Sequence, residues 1–276
     1  MLRGFYTAAS GMLTQQRRQE TLSNNLSNVT TPGYKADQGS VRSFPEMLIE
    51  RMGSKSLPTS KNINLPVRSE VGPLSTGTYL QETTPDFTQG DIRNTGVSTD
   101  MALMNGNFPD ENGSVFFTVR GQDGDPRYTR SGNFTVDGQG FLVSQSGAYV
   151  LDQQGNPVQT GGQEFTVSPE GVLQTEYGGT QLGISYTNDV YQLVKEGNDL
   201  FRYNDEGEGQ APVNARTAEG VTFGVKQNAL EGSNVDPART MTEMMSSYRL
   251  FETNQKVLKA YDQSMDKAVN EIGRVR

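Results

Sequence analysis

Met241-Thr-Glu-Met-Met-Ser-Ser-Tyr-Arg-Leu-Phe-Glu-Thr-Asn-Gln255, continuing through Lys256-Val-Leu-Lys-Ala-Tyr-Asp262 to Ile272, carries one apolar stripe. Met241, Met244, Tyr248, Phe251, Gln255, Leu258, Asp262, Met265, Val269 and Ile272 follow one another at alternating steps of three and four. That is the 3.5-residue repeat of a coiled-coil seam. Asp236 suits the N-cap and Pro237 the first helical position, and neither Gly nor Pro recurs before Gly273. The pattern predicts a helix of about 35 residues, roughly 50 Å long at 1.5 Å per residue.

The opposite end of the chain repeats the pattern more weakly. Phe5, Ala8, Met12, Leu22, Leu26 and Val29 lie on a similar seam, with Gln15 and Gln19 at its centre. Asn24, Asn25, Asn28, Pro32 and Gly33 then stop the helix, because Asn and Gly tolerate the left-handed conformation and Pro cannot continue a helix. Two amphipathic helices packed on their own domain would satisfy this pattern. So would helices that pair with each other and with further copies, which is favoured by the narrow seam, its polar centre and the placement at opposite chain ends.

Between the ends the period becomes two. Val115–Val119, Arg127–Arg130, Asn133–Val136 and Phe141–Val143 read as strands, punctuated by turn formers such as Asp137-Gly138. The spacing of 8–12 residues persists as far as Val225 and reads as an all-β sandwich or irregular barrel. Residues 36–86, rich in Ser, Thr, Pro and Gly, read as an extended connector. Ser43-Phe-Pro-Glu46 before Met47-Leu-Ile49 predicts one short helix there. The expected organisation is an N-terminal helix and turn over 1–35, the connector over 36–86, an all-β domain over 87–230 and the heptad helix over 231–276. The fold class is mainly β with terminal helices that pair as an antiparallel coiled coil.

Of 276 residues none is His or Cys, which removes zinc fingers, Ser-His-Asp and Cys-His hydrolases, disulfides and haem or iron–sulfur ligation. The net charge of −8 divides into +3 over residues 1–35, −12 over 36–235 and +1 over 236–276. An acidic body does not suit a nucleic acid. No run of apolar residues is long enough to span a membrane, and the N-terminus lacks the apolar core of a cleaved secretory signal. Asp123-Gly-Asp125, Asp137-Gly138, Asp152-Gln-Gln-Gly155 and Asp205-Glu-Gly-Glu208 fall where turns are expected, and none has EF-hand spacing. No catalytic, cofactor or metal residue is expected. A glycan-active enzyme with paired carboxylates and a β-rich binding module are the alternatives to a structural role.

Leu22-Ser-Asn-Asn-Leu-Ser-Asn-Val-Thr-Thr-Pro-Gly-Tyr34-Lys35 resembles the N-terminal signature of the bacterial flagellar axial proteins, the rod, hook and hook-associated subunits. Leu230-Glu-Gly-Ser-Asn-Val-Asp236, with Met244, Arg249, Phe251-Glu252, Asn254 and Lys256, resembles their C-terminal signature. Phe87-Thr-Gln-Gly90, Tyr128-Thr-Arg-Ser-Gly132 and Phe134-Thr-Val-Asp-Gly138 resemble the central domain of rod and hook proteins. The length is that of the distal-rod group. The resemblance implies a non-enzymatic subunit of the basal-body rod, in the cell envelope, that passes through the flagellar export apparatus without a cleaved signal. It would polymerise helically beneath the hook with other copies and with neighbouring rod and hook proteins, without nucleic acid or small-molecule substrate. The residues expected at the assembly interface are Phe5, Met12, Leu22, Asn24, Asn25, Leu26, Asn28, Pro32, Gly33 and Tyr34 at the N-terminal end. At the C-terminal end they are Met241, Met244, Tyr248, Phe251, Asn254, Leu258, Met265, Val269 and Ile272.

Overall fold

The computed structural model describes residues 2–272 apart from 58–62, 122, 163, 176–177, 198 and 205–209. Helix α1 (Leu2–Ser27) opens the chain, helix α2 (Pro237–Lys267) comes near its end, and strands fill the sequence between them. The protein is therefore mainly β with a helix at each end. Contacts divide it into two compact units, one of Met1–Asn24, Gln38–Thr84 and Ala238–Arg276, the other of Asn25–Asp37 and Pro85–Pro237.

The first unit combines the helices with β1 (Asp37–Ser43), β2 (Met47–Leu57), β3 (Ile63–Leu74) and β4 (Thr78–Pro85). Strands β2 and β3 form an antiparallel ribbon with Met47 opposite Leu74 and Leu57 opposite Ile63, and β1 pairs with β4. Helix α1 lies on the β1–β4 side through small polar residues. The Thr7 and Thr14 hydroxyls donate to the Thr76 and Thr78 carbonyls, each at 2.9 Å. The short helix expected after Ser43 is absent, and the chain passes from β1 through Pro45 directly into β2. A residue before Pro is pushed to extended backbone. The Phe44 amide donates to the Gly77 carbonyl at 2.9 Å instead of entering a helical turn. The continuous apolar run Met47–Ile49 suits a strand as well as a helix.

The second unit is centred on a six-stranded antiparallel sheet. Its order is Leu193–Gly197, Leu200–Tyr203, β8 (Pro126–Thr129), β7 (Ser114–Arg120), Ile184–Thr187 and Val213–Asn214. Strand β7 explains the paired phenylalanines. Val115, Phe117 and Val119 enter a large core with Phe134, Leu142, Leu173 and Ile184, whereas Phe116 enters a second cluster with Tyr128, Leu193 and Phe201. The two-residue period thus feeds two cores from one strand. Flanking ladders join β5 (Ile92–Asn94) to Ala229–Glu231 and β6 (Met101–Asn105) to Phe223–Gln227.

Four turns repeat one device. The side-chain oxygens of Asp137, Ser144, Asp152 and Ser168 accept the amide four residues on, at 2.8–3.2 Å. The residues three positions on are Gly140, Gly147, Gly155 and Gly171, all at φ between 75° and 83°. At the Asp137 turn it is Gly140, and not Gly138, that takes the left-handed conformation. The Asp137 and Asp152 carboxylates are engaged by their own turns, which is the structural role anticipated for those acidic-glycine clusters. Asp205–Glu208 lies outside the described residues.

Candidate functional site

Three segments distant in sequence meet on one buried carboxylate in the second unit. Glu231, Lys35 and Arg130 all have fully buried side chains. Glu231 Oε1 accepts from Lys35 Nζ at 2.7 Å and from the Gly90 amide at 3.1 Å. Its Oε2 accepts from Arg130 Nε at 2.9 Å, with Arg130 Nη2 at 2.8 Å from the same oxygen. Lys35 Nζ also donates to the Thr88 carbonyl at 2.7 Å, and Arg130 Nη1 donates to Asn105 Oδ1 and the Val115 carbonyl at 2.9 and 2.7 Å. Each residue of Phe87–Gly90 has a duty here. Phe87 packs on Phe116 and Phe201, Thr88 receives Lys35, Gln89 bonds both Leu103 and Asn105, and Gly90 donates to Glu231.

The turn after α1 is fixed alongside this cluster. The Gly33 amide donates to the Glu231 carbonyl at 2.8 Å. Gly33 has φ of 72°, and a Cβ there would lie 2.4 Å from the Ser131 amide nitrogen, so the turn admits only glycine. Asn25 closes the helix end by donating to the Asp37 carbonyl at 2.8 Å while accepting from the Asp37 amide and the Tyr34 hydroxyl at 2.9 and 3.1 Å. Lys195 Nζ sits 4.0 Å from the centre of the Tyr34 ring and 3.2 Å from an Asp37 carboxylate oxygen.

Burial lowers the Lys35 ammonium to about 8, aided by the Arg130 charge and opposed by Glu231. Burial likewise lowers Arg130, and burial and then Asp37 push the Tyr34 phenol upward. Above pH 8 the unfolded chain holds a proton that native Lys35 has released, so this group makes unfolding free energy rise with pH up to its unfolded value near 10.5. Denaturant unfolding between pH 8 and 9.5 is expected to give a more positive slope for the native chain than for Lys35→Met. Equal slopes would contradict the assignment.

In the first unit α1 and α2 run antiparallel. Arg18 pairs with Glu243 at 3.4 Å, and Ser247 Oγ donates to the Gln15 carbonyl and Oε1 at 3.1 and 2.9 Å. A Cβ on Gly11 would lie 2.9 Å from Asn254 Nδ2, and one on Gly4 would strike the Tyr261 hydroxyl. Besides Glu243 and Glu252, the covered positions of α2 are Thr240, Met244, Ser247, Phe251, Asn254, Leu258, Tyr261, Met265 and Ala268. This is a heptad stripe, but it departs from the expected one at every second position. Met244, Phe251, Leu258 and Met265 are on it, whereas Met241, Tyr248 and Val269 are 52%, 55% and 73% exposed. On α1, Gly4 and Gly11 face α2, and the expected Phe5 and Met12 beside them are half-buried. The Tyr261 and Asn254 side chains take up the space that a side chain at Gly4 or Gly11 would fill, a fit that apolar periodicity does not register.

Of the other expected site residues, Leu22, Asn25, Gly33 and Tyr34 are buried. Phe5, Met12, Leu26, Asn28 and Pro32 are half-buried, and Asn24 is exposed. The side chain of Ile272 lies outside the described residues. Lys35, Arg130 and Glu231 were not among the expected site residues. A signal for them was present, since Lys35 and Arg130 are the lone charges of their signature segments and Glu231 is one of two acids in its own.

The three segments coincide with three family models. "Flagella basal body rod protein" matches residues 5–35, "Flagellar hook protein FlgE/F/G D1 domain" 112–175 and "Flagellar basal body rod FlgEFG protein C-terminal" 226–271. The chain belongs to the flagellar basal-body rod and hook protein family. It is 43% identical to the flagellar hook-basal body complex protein FlhO of Bacillus subtilis over the full length of both chains. It is 30% identical to the basal-body rod protein FlgG of Borreliella burgdorferi and 27% identical to FlgF of Caulobacter vibrioides, each match covering 98% of both chains.

Proposed function

We propose that this protein is a structural subunit of the bacterial flagellar basal-body rod, required for flagellum assembly and motility and without catalytic activity. The full-length identity to FlhO carries this reading. The terminal helices form an antiparallel coiled coil whose outer surface joins copies of the chain to each other and to neighbouring rod and hook proteins beneath the hook. The exposed Met241, Tyr248 and Val269 belong to that outer surface, and half-buried Met244, Phe251 and Leu258 hold the pair together. The division into helix and signature (1–35), connector (36–86), β domain (87–230) and heptad helix (231–276) follows from this reading, as does passage through the flagellar export apparatus without a cleaved signal. Polar Gln15 within the seam sets register at a cost in stability.

Deletion of the gene is expected to abolish motility and to leave basal bodies without a complete rod in electron micrographs. A motile deletion strain with normal basal bodies would exclude the role.

A further inference from the structure

Helix α2 presents exposed stripes of unlike character. Thr242, Arg249, Lys256 and Gln263 form a polar one. Met241, Met245 and Tyr248 begin a second, which continues into Gln255, Lys259, Asp262 and Asp266. The third comprises Ser246, Leu250, Thr253, Val257, Ala260 and Ser264, at steps of four and three, every position exposed and none charged. Leu250 is 49% and Val257 38% exposed. This stripe directly adjoins the one that α1 covers, so it extends an interface already present. On α1, one stripe meets α2 and another meets the β1–β4 side. Away from both stand Tyr6 and Leu13, 64% and 57% exposed, with half-buried Ala9 between them.

Building on the proposed rod function, we infer that the uncharged stripe of α2 receives the Tyr6–Ala9–Leu13 face of α1 from a second copy of the chain. Both surfaces place two large apolar side chains seven residues apart, the heptad interval. The intrachain pairing sets Arg18 by Glu243, Gln15 by Ser247 and Gly11 by Asn254. Continued on the outer face, that register puts Leu13 opposite Leu250 and Tyr6 opposite Val257. Tyr6 and Leu13 lie on the side of α1 away from α2, so different neighbours take the two patches of one copy and the contact is heterologous. Each copy keeps one donor and one acceptor face free for the next, which generates a ring or an open helix rather than a closed dimer.

The chain contains no Cys, so introduced thiols report contacts without background. Full-length Leu13→Cys and Leu250→Cys chains, differently tagged, would be co-expressed in a strain lacking the native gene. Basal bodies would then be isolated and treated with a mild thiol oxidant. A mixed-tag disulfide dimer is expected as the main product, and likewise for Tyr6→Cys with Val257→Cys. A Gln15→Cys/Ser247→Cys chain should close within itself. Assembly with the intrachain link but without either interchain product would overturn this contact and leave the rod function standing. Normal motility without any copy of the gene would overturn the function itself. A second measurement does not depend on crosslinking. Leu250→Glu with Val257→Glu should reduce incorporation at least tenfold at unchanged helix content, whereas Arg249→Ser with Lys256→Ser should retain at least half. Equal losses in the two pairs would overturn the inference.

Discussion

Glu231→Ala is expected to destabilise the second unit by about 3–5 kcal/mol, because removing one member of a buried ion pair strands its partners in a dry interior. Here two cations lose their acceptor together. Lys35 would keep only the Thr88 carbonyl, and Arg130 only Asn105 and Val115. The Gly90 amide would also lose its acceptor. A triple replacement of Lys35, Arg130 and Glu231 by Met is expected to cost less than the single change, since apolar side chains of similar volume carry no unmet charge. Equilibrium denaturation of the three proteins tests both statements. A cost below about 1 kcal/mol for Glu231→Ala, against the scale for a buried pair, would mean that the cluster does not hold the three segments.

The second large effect is on assembly. Phe251→Asp is expected to abolish motility and incorporation into basal bodies while leaving unfolding of the second unit unchanged. Phe251 is half-buried on the stripe of α2 that meets α1. Burying a large apolar side chain is worth about 1.5–3 kcal/mol, and in a polymer that loss recurs in every subunit. The side chain lies in the first unit, so the two readouts separate: amide exchange over residues 115–225 should match the native chain while motility is lost. A motile Phe251→Asp strain would remove the helix pair from the assembly mechanism.

The helices were legible because a 3.5-residue repeat sustained over some thirty residues is the mark of a helix buried along one narrow stripe, and Asp236-Pro237 marks the start of one of them. The face that packs was only half legible. Apolar periodicity selected Met241 and Tyr248, but the seam uses Gly4 and Gly11, which leave room for Tyr261 and Asn254, and Ser247, whose hydroxyl bonds Gln15. Strands around Val115–Val143 followed from alternation and turn chemistry. The β2–β3 ribbon did not, because Met47-Leu-Ile49 shows neither period and a capping-box spacing occurred before it. The charge cluster was hidden for a different reason. Lys35, Arg130 and Glu231 are far apart along the chain, and no local pattern links them.

The bond from Lys35 to Glu231 closes a separation of 196 residues. On a ribosome adding about 5–20 residues per second, that interval amounts to roughly 10–40 s. Throughout that time the Lys35 ammonium lacks the carboxylate that will neutralise it, as does the Arg130 guanidinium over the last 101 residues, and the pocket that will bury them stays wet. The body cannot finish folding until nearly the whole polypeptide has been made. Timing is thus written into the placement of one acidic residue, and a chain held back in this way remains threadable for most of its synthesis.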